Sequence, residues 1–139
     1  MADLGTFLND EYQPDTPFDV ELHDTNDVPL FNNDGTPMTI SVLGEDSAAA
    51  VAARYAQGNR QIHAGPRSKI TAEGIDATGA AYLAKLCTSW NITMGGEKPP
   101  FSHDAAKALF ANPKARFIRD QVDRAVADRA NFTRKAPKA

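Results

Sequence analysis

A chain of 139 residues, 42% hydrophobic and 24% charged, holds material for one compact domain with a modest core and too little for two. That composition excludes wholesale disorder, and a formal charge of −3 excludes a nucleic-acid binder that works through a general positive field. A single cysteine, Cys87, excludes an internal disulfide framework.

Residues 1–17 carry Asp3, Asp10, Glu11 and Asp15 with two prolines and few apolar anchors, and read as a flexible N-terminal arm. The opening Met-Ala-Asp-Leu-Gly-Thr lacks the basic start and apolar run of a signal peptide, and no stretch approaches the ~20 apolar residues that cross a bilayer. The expected location is the cytoplasm, unless a larger particle carries the protein out, with no membrane partner.

From Phe18 the period becomes two. Phe18, Val20 and Leu22 alternate with Asp19, Glu21 and His23, and Met38, Ile40 and Val42 alternate with Thr39 and Ser41, which predicts two antiparallel strands with one buried face. The stretch 24–37 between them is turn-rich, with Asp34-Gly35 as its strongest turn former. Val28, Leu30 and Phe31 give this loop an apolar tip or a third short strand, and they are the candidate protein-binding residues. Two strands alone are marginal in water, so helices must cover them.

Asp46-Ser47 can cap a helix with apolar positions at Ala48, Val51, Ala52 and Tyr55, and Gly58 offers a stop. After Gly65-Pro66 a second helix is expected from Thr71, with a stripe at Ile75, Gly79, Tyr82, Leu83, Leu86, Cys87 and Trp90. Gly74 and Gly79 weaken that helix unless a neighbour packs closely there. Ser102 caps a short helix bearing Ala105, Ala106, Leu109 and Phe110, and Pro113 opens a last helix running to about Asn131. Arg116, Asp120, Arg124 and Asp128 form a charged ladder on that helix, a solvated face more than a source of stability. The expectation is an α+β fold. An N-terminal antiparallel hairpin or small sheet precedes about four helices in one domain over 18–132, and a flexible basic tail follows over 133–139.

Chemistry-bearing motifs are sparse. His23, His63 and His103 form no H-x-x-x-H pair, and neither a phosphate loop nor Cys-x-x-Cys occurs. The run Asp24-Thr25-Asn26-Asp27 starts like a calcium loop and fails at Val28 and Pro29, where a ligand and a turn glycine are required. Gly95-Gly96 lacks the context of a phosphate cradle, and Trp90, Phe101, Phe110 and Phe117 fit core better than a base-stacking platform. Cys87, on an apolar stripe, reads as a buried small hydrophobe. No catalytic residue, metal or cofactor is expected, and the function left is contact with other proteins.

The pattern resembles the tail assembly chaperones and minor tail proteins of long-tailed bacteriophages, prophage-type members included. The resemblance rests on the extended Phe18–His23 segment, the Asp27-Val28-Pro29-Leu30 turn and Thr39-Ile40-Ser41-Val42-Leu43-Gly44 leading into Asp46-Ser47. Further along it rests on Trp90, Phe101-Ser102, Leu109-Phe110-Ala111-Asn112-Pro113, Ile118–Asp123 and Ala127–Phe132. It implies a non-catalytic factor in the host cytoplasm that binds the tape measure protein and helps to recruit tail tube subunits. It transfers no catalytic or binding residue. Self-association is left open. The alternatives are a structural minor tail or head-tail completion subunit, or a small cytoplasmic regulatory binding protein.

Overall fold

The computed structural model describes residues 3–65 and 71–134. Its sheet has three antiparallel strands in the order β1-β2-β3: β1 (Phe18–Glu21), β2 (Thr39–Val42) and β3 (Cys87–Asn91). The helices are the short α1 (Leu4–Thr6), α2 (Ala48–Ala64), α3 (Ala72–Leu86), α4 (His103–Ala111) and α5 (Arg116–Ala127). The fold is therefore α+β, as the change of period from two to helical spacing implies.

The two alternating segments pair as expected, Val20 opposite Ile40 and Phe18 opposite Val42. Their connection is a two-armed extension of the hairpin. Leu22 N–H donates to Met38 (3.0 Å), Met38 to Leu30 (2.9 Å) and Leu30 back to Leu22 (2.9 Å). The first arm turns on Asp24, whose Oδ1 accepts the backbone N–H groups of Asn26 and Val28, with Asp27 in the left-handed region at φ 62°. This accounts for the calcium-like run as a turn. The second arm turns at Asp34-Gly35, Gly35 taking φ 86°.

Asn32, 4% exposed, holds that second arm to the sheet. Its Nδ2 lies 3.2 Å from Asn91 O and Thr36 Oγ1 and 3.3 Å from Thr36 O and Pro37 O, while its Oδ1 accepts from Thr93 Oγ1 at 2.6 Å.

The segment beyond Leu86 departs from the helical stripe read in the sequence. Helix α3 ends there, and Cys87–Asn91 is strand, with Trp90 opposite Ile40 and a register shift near Thr88. Leu43 N–H captures the Leu86 carbonyl at 2.8 Å, so the chain leaves α3 directly into pairing with β2. The apolar spacing at Leu86, Cys87 and Trp90 fits a helix, but Thr88, Ser89 and Asn91 are poor helix formers and β2 has an unpaired edge to offer. Cys87 is buried as expected, on a strand and not on a helix.

Helix α2 also differs. Ser47 caps it, its side chain accepting from Ala50 N–H at 3.2 Å, but Gly58 does not stop it. Its buried positions are Ala50 and Ala53, with Ala52 and Tyr55 exposed, one position off the expected face. A run of alanines gives too little contrast to fix that face.

The last helix is divided: Pro113–Ala115 is a 3-10 turn, α5 follows, and Arg129–Phe132 is a second 3-10 turn. Residues 3–17, read as an arm, are helical over 4–6 and π-helical over 7–11. They are tied to the end of the domain by Gln13 N–H to Phe132 O (2.7 Å) and Arg134 N–H to Glu11 O (2.6 Å). Beyond Arg134, the basic tail lies outside the described residues, as does Pro66.

One core joins the layers: Val20, Leu22, Ile40 and Val42 from the sheet, Leu83 and Leu86 from α3, Phe110 from α4, and Ile118, Val122 and Val126 from α5. Gly79 lets α3 approach its neighbour, since a Cβ there would lie 2.6 Å from an Arg119 guanidinium nitrogen.

Asn32→Ala leaves Thr93 Oγ1 and the facing carbonyls without this partner in a closed site. We expect a loss of about 1–3 kcal/mol, read as a lower urea midpoint at unchanged m-value. Asn33→Ala, at an exposed neighbour, is expected to stay within about 0.5 kcal/mol.

Candidate functional site

Several ionisable side chains hold elements together. Asp76 of α3 accepts from Arg116 Nη1 (2.8 Å) and Arg119 Nη1 (3.0 Å) of α5, and Arg119 also reaches the Asp76 and Phe110 carbonyls. Arg119 thus joins an interhelical staple, and of the charged ladder Arg116–Asp120 forms at 3.3 Å.

Asp46, at the start of α2, takes Arg129 Nε at 2.7 Å and the Tyr12 hydroxyl. The Arg129 and Tyr12 hydrogen bonds hold its carboxyl below the usual carboxylate range. Lys98, 2.5 Å from Asp34, does the same for that residue. His23 pairs with Asp27 (3.1 Å), His103 Nε2 lies 3.1 Å from the Cys87 carbonyl, and His63 is exposed on α2. Burial pushes the Cys87 thiol up to about 12, the opposite of an activated nucleophile. Among the described residues no group of three or more His, Cys, Asp or Glu side chains could hold a metal ion. No helix among them is long and apolar enough to cross a membrane.

Among the described residues large apolar side chains, by contrast, stand exposed in three places. Leu4 and Leu8 do so on the opening helical segment. Val28 and Phe31 do so on the hairpin extension, where the Asn32 bonds hold Phe31 near the strand end that leads to exposed Met94. Tyr55, Ile62 and Ile75 do so on α2 and α3. Of the sequence-predicted trio, Val28 (53%) and Phe31 (58%) are exposed, whereas Leu30 is half-buried and packs against the core. Backbone pairing explains the split: Leu30 closes the Leu22–Met38 triangle and is carried against the core, whereas Val28 sits in the Asp24 turn.

Between α2 and α3 runs an open groove of about 880 Å³. Gly74, Ala77, Thr78 and Ala81 contribute its small residues, with Ile75 and Tyr82 beside them. Among the described residues its charged lining is four cations (Arg54, Arg60, Lys85 and Lys107) and one carboxylate, Glu45, in a chain of net charge −3. Arg54 is fixed in place, donating to the Glu45 carbonyl at 2.7 Å and to Tyr82 Oη at 3.0 Å. From Arg54 to His63, α2 buries no side chain, so its second half is an unsupported wall of the groove. Sequence reasoning missed this feature because its cations are dispersed over three helices; Arg54 and Arg60, six apart on α2, were the available signal.

No family model, curated protein or solved structure matches this chain.

Two outcomes follow from the titratable groups. Cys87 should resist an aromatic disulfide reagent in the native protein and react within the mixing time in denaturant; rapid reaction of the native protein would contradict its burial. Asp46 has a folded pKa below its ordinary 3.8, so its contribution is present at neutral pH and is lost as pH falls through the folded value. Asp46→Asn should therefore lower the urea midpoint at neutral pH, and the gap to the parent should shrink near pH 3.

Proposed function

We propose that this chain is a non-catalytic protein-binding factor of bacteriophage tail assembly, a chaperone that binds the tape measure protein and helps to recruit tail tube subunits. The observation that carries the binding role is the distribution of apolar surface. Val28 and Phe31 stand exposed on a hairpin extension braced by Asn32, and Leu4, Leu8, Tyr55 and Ile62 stand exposed on helical segments. Apolar side chains held out on ordered elements suit the shielding of apolar stripes on a helical client.

The charged groups support the same reading. Asp76, Asp46 and Asp34 each have a cationic partner that fixes one element to another, an arrangement that braces a surface and leaves those carboxylates committed to structure. The tail-assembly setting rests on the resemblance over residues 18–132 and places the protein in the host cytoplasm while tails are built. A chaperone coats its client and leaves, so it needs many modest apolar contacts more than one deep pocket.

Co-expression with the tape measure protein tests the proposal. The client should remain soluble and co-purify with this chain, and Val28→Asp with Phe31→Asp should weaken capture by about tenfold or more at unchanged thermal stability. A client equally insoluble with and without the chain would overturn the chaperone role. Stoichiometric retention in finished tails would make the chain a structural subunit instead.

A further inference from the structure

We propose that copies of this chain associate head to tail, the opening helical segment 4–11 of one copy docking in the α2–α3 groove of the next. The inference goes beyond client binding and does not depend on it.

The segment has the form of a ligand. Leu4 and Leu8 lie one helical turn apart and remain 68% and 56% exposed. Asp3, Asp10 and Glu11 flank them, and residues 3–11 carry no cationic side chain. The segment is presented by a firm base. Tyr12 bridges to Thr133, Gln13 is bonded to Phe132, and the Phe7 and Tyr12 rings stack with centroids 6.2 Å apart. Little ordering entropy remains to be lost on docking.

The groove has the complementary chemistry. Its four cations face one carboxylate, and the small residues Gly74, Ala77 and Ala81 leave room for leucine side chains beside Ile75 and Tyr82. Positive groove and negative segment occur in one acidic molecule without meeting within it, because none of residues 3–11 lines the groove. A second copy supplies the missing half of each surface. Segment and groove are different patches, so the interface is heterologous: a pair keeps one free segment at one end and one free groove at the other, and the assembly grows as a chain or closes as a ring. An eight-residue helical segment spans only about 12 Å, so each contact is weak and assembly depends on concentration. Contacts of this strength add up where copies are already aligned along a common partner.

Sedimentation velocity of the full chain over a concentration series tests the proposal without any client. The average mass should rise with concentration and fall back toward the monomer when salt is raised to about 0.5 M, because the attraction is largely between exposed charges. Leu8→Lys on the segment, and Arg60→Glu with Lys107→Glu on the groove, should each weaken self-association about tenfold or more at unchanged circular dichroism. Mixed in equal amounts, the two variants should form a one-to-one pair and nothing larger, since only one intact segment and one intact groove remain per pair. If the groove double variant loses its circular dichroism, Ile75→Asp at an exposed position replaces it and the same pairing is required. A parent chain that stays monomeric at all concentrations overturns the proposal. So do variants that associate like the parent, or a mixture that fails to pair. None of these results bears on client capture, which is measured separately.

Discussion

Strand β2 is the central strand, paired on both edges, and its Ile40 and Val42 have no exposed surface at all. A sheet of three short strands is stable in water only when one face is covered, so the position of every helix follows from that requirement. Helix α3 delivers Leu83 and Leu86 to this face and then becomes the third strand itself. The element that covers the sheet and the element that completes it are thus one continuous piece of chain. Losing α3 would remove a strand as well as a layer.

Helix α5 is locked to the same sheet by a backbone mimic. The Gln121 side-chain amide accepts the His23 N–H at 2.7 Å and donates to the His23 carbonyl at 2.8 Å, as a neighbouring strand would. On the other side of α5, Arg119 reaches Asp76 through space left by Gly79. The glycine that weakens α3 by about 1 kcal/mol as a helix former therefore makes room for a cation that joins α3 to α5. These ties make the sheet, α3, α4 and α5 a single braced body. The second half of α2 and the tips of the hairpin extension stand outside it, with more backbone and apolar surface in water.

How far the sequence was legible depends on how strongly local pattern and tertiary demand agreed. The β1 and β2 pairing was readable because alternation from Phe18 to Leu22 and from Met38 to Val42 is a period-two signal with one solution. The Ser47 and Ser102 caps were readable because a side-chain acceptor before an apolar-periodic run has a local cause. Residues 87–91 were not, since spacing alone allows Cys87 and Trp90 to continue a helix, and only the open edge of β2 decides otherwise. The opening segment carries Leu4, Phe7 and Leu8 at helical spacing, but its tie to Phe132 runs through backbone groups that leave no trace in residue identity. Of the candidate contact residues, alternation could have set inward Leu30 apart from its neighbour Phe31 but not from Val28, two residues away, whose exposure follows from the Asp24 turn; the basic groove needed the relative placement of α2, α3 and α4.

Charge segregation then follows from the architecture. The cations of α5 are mostly committed to carboxylates on other elements, as Arg116 and Arg119 are to Asp76. Those of α2, α3 and α4 that line the groove have, among the described residues, one acidic neighbour in the lining, Glu45. A molecule with net charge −3 therefore carries a local positive trough beside an uncharged apolar rim. At physiological ionic strength such a trough acts over about 8 Å, which orients a partner only at close range. Selection of that partner must come from a matched pattern of carboxylates and apolar side chains on one face. Two surfaces of this chain differ in that respect. The hairpin extension sets exposed Val28 and Phe31 among the carboxylates of Asp24, Asp27 and Asp34, whereas the groove gathers cations, so the two surfaces differ in the sign of the partner charge they would favour.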